Sequence, residues 1–131
     1  MTDASELYVN GTLMRGLALH ANLDGAEFLG EVCTEPRYRL YSIGADEHPG
    51  MFEVTTGGVA VAGELYRVPP ALMCAVDAGE PPHLYRGRVW LQDRGETWGI
   101  LYPEELAAQN GRDISEYGGW RAYLACSGGR R

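Results

Sequence analysis

VNGTLMRG, residues Val9 to Gly16, decides how this chain is read. A short apolar run, Leu7-Tyr8-Val9, stops at Asn10-Gly11. A second glycine follows at Gly16, and Leu17-Ala18-Leu19 then resumes like a first helical turn. Glycines in such a turn tolerate positive φ, which is their ordinary use. They also remove the Cβ atoms that keep a ligand away from the main chain. Successive N–H groups ahead of a helix form a nest for an anion. Gly11-x-x-x-x-Gly16 has P-loop spacing, but Leu17-Ala18 stands where Lys-Ser/Thr would be needed, and GxGxxG is absent. That argues against nucleotide hydrolysis. A small carboxylate suits the loop better.

Outward from the loop, hydrophobic alternation predicts strands over Glu6–Val9, Glu27–Cys33, Tyr38–Ile43, Met51–Thr55, Val59–Val68, Tyr85–Leu91 and Thr97–Tyr102. Gly63, inside the longest of these, predicts a bulge or bend. Gly44–Gly50 reads as a surface loop. Helical stretches are predicted over Leu17–Leu23, over Ala71–Ala78 behind Pro69-Pro70, and over Pro103–Gln109. Ile114–Ala125 reads as a turn and a short helix, and Gly128–Arg131 as a frayed tail. Strands outnumber helices, so the expected fold is α+β: one domain spanning 1–131, with a small barrel-like mixed sheet flanked by a few short helices.

Composition narrows the function. The 131 residues are 45% hydrophobic, enough for one real core. A net charge of −7 repels a phosphate backbone, so nucleic acid is not an expected partner. No apolar run approaches membrane-spanning length, and the acidic N-terminus does not resemble a signal peptide. A cytoplasmic protein that does not engage membranes is expected. Cys33, Cys74 and Cys126 form no CxxC pair and read as buried, inert thiols. His20, His48 and His83 are scattered, without the spacing of a metal site, so neither metal nor other cofactor is expected. Tyr8, Tyr38, Tyr41, Tyr66, Trp90 and Trp98 fall in strand runs, as core or sheet surface. Tyr117, beside Gly118-Gly119, is freer and could swing over a pocket.

A second stretch, VDAGEPPHLYRGRV, sets Glu80 just past a helix end and ahead of Pro81-Pro82. Exposure is the commonest fate of a glutamate. Yet a carboxylate at a helix C-terminus opposes the helix dipole, which hints at another reason for its position.

With these two stretches in order, the chain resembles the gamma-glutamylcyclotransferase-like family. Val9–Gly16 is similar to that family's YGTLxxG motif. Val76-Asp77-Ala78-Gly79-Glu80 followed by Tyr85-Arg86-Gly87-Arg88-Val89 is similar to its LDxxEG…YxRxxV motif. The resemblance runs over about residues 6 to 102. It implies intramolecular attack of an α-amine on a γ-glutamyl carbonyl, releasing 5-oxoproline and an amine. It further implies that Gly11, Thr12 and Leu13, with Asn10, form the substrate cradle and that Glu80 is the acid/base. Thr12, Tyr85 or Tyr117 would assist at the carbonyl oxygen. Asn10 stands where the family usually has tyrosine.

Glu35–Ile43 (EPRYRLYSI) and Ile114–Ala125 (ISEYGGWRAYLA) resemble the C-terminal domain of allophanate hydrolase, which shares this fold. That resemblance implies chemistry on a small carboxylated urea-derived compound. Its glycine loop carries a histidine where this chain has Leu13. A binding module that kept only the carboxylate cradle is the non-enzymatic alternative. No GxSxG elbow or Cys/His motif supplies a covalent nucleophile.

Overall fold

Among the described residues, 4–126, the computed structural model forms eight strands in two sheets and three α-helices. The apolar run that precedes the glycine loop becomes β1 (Ser5–Val9), buried over Leu7–Val9. Burial on both sides suits the middle of a sheet. There β1 pairs antiparallel with β5 (Ala62–Val68) and parallel with β7 (Gly95–Leu101). β2 (Glu27–Cys33) and β6 (Tyr85–Leu91) close the two sides, giving the order β2-β5-β1-β7-β6. A second sheet holds β3 (Tyr38–Ile43) between β4 (His48–Glu53) and β8 (Gly111–Asp113). The result is a mixed α+β architecture as expected, but the sheets are open and separate and do not close into a barrel. α1 (Pro70–Gly79), α2 (Glu104–Asn110) and α3 (Trp120–Cys126) flank them.

The sheets are joined by buried side chains and a few directed bonds. The Tyr8 hydroxyl donates to the Val61 carbonyl at 2.9 Å, and the Trp90 N–H donates to the Tyr38 hydroxyl at 2.9 Å. The Tyr102 N–H reaches the Met51 carbonyl at 2.9 Å, bringing the end of β7 against β4.

Several local expectations are corrected. Gly44–Gly50 is not a surface loop throughout: the turn ends by Glu47, and His48, Pro49 and Gly50 are buried in β4. The bulge lies in β2, between Phe28 and Gly30, rather than at Gly63. Gly63 serves close approach, since a Cβ there would sit 2.4 Å from the Val9 carbonyl oxygen. Leu17–Leu23 forms no α-helix: a turn leads into a single 3-10 stretch over His20–Leu23. β8 has only three residues, too few for alternation to announce it. The cysteines are exposed, not buried. The tail at Gly128–Arg131 lies outside the described residues.

Glu64 on β5 is the buried ionic centre, 1% exposed. Its carboxylate accepts the Arg15 N–H at 3.0 Å and the Arg15 guanidinium at 3.1 Å. It also accepts the Arg121 guanidinium at 3.0 Å and the Tyr66 hydroxyl at 2.9 Å. Burial alone would raise its pKa, but these donors outweigh it and hold the carboxyl below the usual glutamate range.

Two outcomes follow. Glu64→Gln removes the charge that four donors converge on. Both arginines are half exposed and can be rehydrated, so the loss is about 1–3 kcal/mol, below the cost of a fully buried break. Urea unfolding measures it. The three thiols react with a maleimide in the native protein, counted by mass spectrometry without denaturant.

Candidate active site

The glycine loop leaves the end of the central strand, and its path is set by contacts on both sides. Arg15 is pinned to Glu64 as described. Gly11 lies against Pro49 of β4 so closely that a Cβ would fall 2.6 Å from the proline ring. Only glycine permits that contact. Between these anchors the chain turns through Met14 N–H to Gly11 carbonyl at 2.9 Å and Leu19 N–H to Thr12 carbonyl at 2.8 Å. The carbonyls are thereby used. The N–H groups of Gly11, Thr12 and Leu13 have no acceptor among the described residues, which is the arrangement an anion cradle requires.

Glu80 reaches the same place from another direction. It follows the last turn of α1 in extended conformation, with φ −74° and ψ 146°. Pro81 then keeps the backbone from resuming the helix. Glu80 lines one cavity with Val9, Asn10, Gly11, Thr12 and Leu13, and His48, Pro49, Leu84 and Ile100 complete the walls. Its Oε2 is buried without a hydrogen-bond partner among the described residues. Desolvation, with a smaller contribution from the Asp77 carboxylate one turn earlier, pushes its pKa up to about 7. Asp77 itself is held by both arms of Arg86, each at 2.9 Å. An unpartnered carboxyl that titrates near neutrality can both take and return a proton.

The cavity volume is about 20 Å³, the space of one water molecule. A much larger open cleft, about 1090 Å³, lies on the other side of the loop and includes Glu31, Cys33, Glu64, Arg94, Tyr117 and Arg121. Size alone would favour that cleft. Its buried carboxylate, however, is saturated by four donors, whereas the smaller cavity holds a carboxyl oxygen with no partner among the described residues.

The residues expected from sequence therefore divide. Asn10, Gly11, Thr12, Leu13 and Glu80 meet at one cavity. Asn10 spends a side-chain N–H on the Met51 sulfur at 3.1 Å. Tyr85 is 49% exposed on the outer strand β6 and does not line the cavity, because alternation along β6 turns it outward. Tyr117 lines the large cleft and packs on Tyr123 at 5.2 Å between ring centroids, so it does not swing over Glu80. His48 was not singled out from sequence. A lone histidine without a ligand-spaced companion carries no signal, and only the burial of the β4 start reveals it. Among the described residues no three His, Cys, Asp or Glu side chains gather as metal ligands.

The chain resembles known proteins along most of its length. The family model of the allophanate hydrolase C-terminal domain matches residues 5–125. A Vibrio cholerae protein named "Putative gamma-glutamylcyclotransferase" is 34% identical over 99 residues, covering 75% of this chain and 82% of that protein. The crystal structure of c4763, a uropathogenic E. coli-specific protein, superposes with TM-score 0.89 at 42% identity, covering 95% of this chain and 98% of that one. Kluyveromyces lactis allophanate hydrolase superposes with TM-score 0.89 at 27% identity over 95% of this chain, which spans only 22% of that larger chain. The chain belongs to the family of the allophanate hydrolase C-terminal domain, on a fold it shares with gamma-glutamylcyclotransferase-like proteins.

Proposed function

We propose that this protein is a gamma-glutamylcyclotransferase-like enzyme that cleaves a γ-glutamyl amide into 5-oxoproline and an amine. One observation carries the reading: half-buried Glu80, whose Oε2 has no hydrogen-bond partner among the described residues, shares a cavity with the unengaged N–H groups of Gly11–Leu13. The substrate's α-carboxylate would rest on the loop N–H groups. That fixes the tethered amine against its own γ-carbonyl, and holding this conformer is most of the catalytic task. Glu80 would take a proton from the attacking nitrogen and pass one to the departing nitrogen. Gly11–Leu13 N–H groups not used by the carboxylate, or the Thr12 hydroxyl, would meet the charge on the carbonyl oxygen. No step calls for a metal or a nucleotide. A glutamyl group exceeds the present cavity, so its entry moves Leu84 and the Pro81–Leu84 turn outward.

A second reading follows from the family match over 5–125. The same carboxylate cradle and an imidazole, His48, could act on a small carboxylated urea-derived compound. Mass spectrometry on a panel of γ-glutamyl amides and carboxylated ureas separates the two: 5-oxoproline supports cyclotransfer, whereas CO₂ from a carboxylated urea with no 5-oxoproline supports the second reading.

Glu80→Gln keeps size and removes the base. Turnover falls at least ~100-fold while KM, set by the backbone cradle, stays within about threefold, as steady-state kinetics will read.

The shifted carboxyl also predicts two pH dependences. kcat/KM rises from pH 5 to 8 as Glu80 loses its proton through its pKa of about 7. Stability has the opposite sign: the folded state holds this proton more tightly than the unfolded state, so stabilisation present in acid is lost as pH rises through about 7. Glu80→Gln therefore melts at nearly the wild-type temperature at pH 4 and a few degrees higher at pH 8, measured by differential scanning fluorimetry.

A further inference from the structure

Cyclotransfer moves two protons between nitrogens, and one carboxyl can move them only in turn. At neutral pH the α-nitrogen enters as an ammonium and ends as a lactam N–H, so it loses two protons. The departing nitrogen starts as an amide N–H and ends as an ammonium, so it gains two. The new C–N bond and the broken C–N bond balance, and no proton is consumed overall. A single carboxylate carries one proton at a time. A second carrier beside Glu80 spares that carboxylate from relaying both protons in turn within a cavity that holds about one water.

His48 is the group placed for this. It lies at the start of β4, 7% exposed, and lines the same cavity as Glu80 and Gly11–Leu13. Its Nδ1 is 3.0 Å from the Pro49 carbonyl oxygen. A carbonyl only accepts, so Nδ1 carries a proton, and the nitrogen left to accept one is Nε2. Nε2 has no partner among the described residues. The ring is further fixed edge-on to Tyr102, with centroids 5.9 Å apart. The other histidine near the loop is differently used: His20 Nδ1 is 3.0 Å from the Leu13 carbonyl, and that ring does not line the cavity.

We propose that His48 is the second proton carrier of this site. Its Nε2 accepts the first proton from the substrate α-ammonium, Glu80 accepts the second as the C–N bond forms, and both are returned to the departing nitrogen. This rests on the cyclotransfer reading. It also gives β4 a chemical role that no motif in the sequence announces.

His48→Asn is the informative variant. The asparagine amide can keep the bond to the Pro49 carbonyl while Nε2 is lost. With a γ-glutamyl amide as substrate, kcat falls at least ~30-fold and KM moves less than about threefold. His48→Gly is restored in part by added imidazole, which a merely structural histidine would not allow. Wild-type kcat in His48→Asn overturns the proposal, as does a folded His48→Gly that imidazole fails to restore.

If the wild-type protein forms no 5-oxoproline, the cyclotransfer reading falls, and nitrogen-edited NMR of the His48 ring still decides its placement. An Nδ1–H tautomer whose signals move in Glu80→Gln keeps His48 as a proton acceptor facing Glu80. An Nε2–H tautomer, or signals indifferent to Glu80→Gln, overturns it.

Discussion

Glu64 is the interaction on which the glycine loop depends. A carboxylate this deeply buried is costly unless every lone pair is met. Here it is met by donors from three parts of the chain. Arg15 comes from the loop, Tyr66 from the same strand, and Arg121 from α3, whose guanidinium also reaches the Arg15 carbonyl at 2.5 Å. The ion pairs are not a large net source of stability, since their desolvation offsets much of the attraction. Their effect is to leave the loop one position. Arg15 is held through both its main chain and its side chain, so the residues ahead of it must turn in the space between Glu64 and Pro49.

That constraint separates two glutamates of the same chain. Glu64 and Glu80 are both withdrawn from water, and burial raises the pKa of each. At Glu64 four donors reverse the effect, and the side chain is fixed as a charge. At Glu80 the charge that acts is Asp77, in the same direction as burial. Its carboxyl stays near neutrality in titration and one oxygen stays unpartnered. The environment, not the residue type, makes one glutamate a clamp and gives the other the carboxyl that the proposed mechanism uses to carry a proton. Large clefts are poor guides by comparison: the cleft of about 1090 Å³ is built around the clamp.

The sequence was most legible where a single periodicity rules. Glu27–Cys33, Tyr38–Ile43 and Tyr85–Leu91 form strands with the bounds that alternation predicts. Glu80 and the glycine loop were legible because fixed backbone chemistry brackets them: glycines on one side, a helix end and two prolines on the other. Legibility failed where a property depends on which face is covered. Cys33, Cys74 and Cys126 have apolar character, but each points away from the core. Tyr85 and Tyr117 carry useful hydroxyls, yet strand alternation sends one outward and a tyrosine stack holds the other in the wrong cleft. His48 was hidden for a related reason. Gly44–Gly50 has the composition of a loop, and only pairing with β3 makes its last three residues part of a buried edge strand.

The tightness of the cavity is consistent with this division of labour. Main-chain N–H groups can stabilise developing charge only if they are already in place, since any reorganisation during the reaction is subtracted from their effect. Pro49 packed against Gly11 and Glu64 bonded to Arg15 hold the cradle from opposite ends, so its donors need not be gathered by the ligand. The side that yields should then be the one least bonded to the sheets. Leu84 meets that description. It lies beyond Pro81-Pro82, half-buried, with its N–H bonded only within its own turn, to the Pro81 carbonyl at 3.3 Å. A ligand that displaces Leu84 leaves the loop, Glu80 and His48 where the strands and α1 have set them. On the cyclotransfer reading, Leu84 is then the wall that yields over a floor held by the strands and α1.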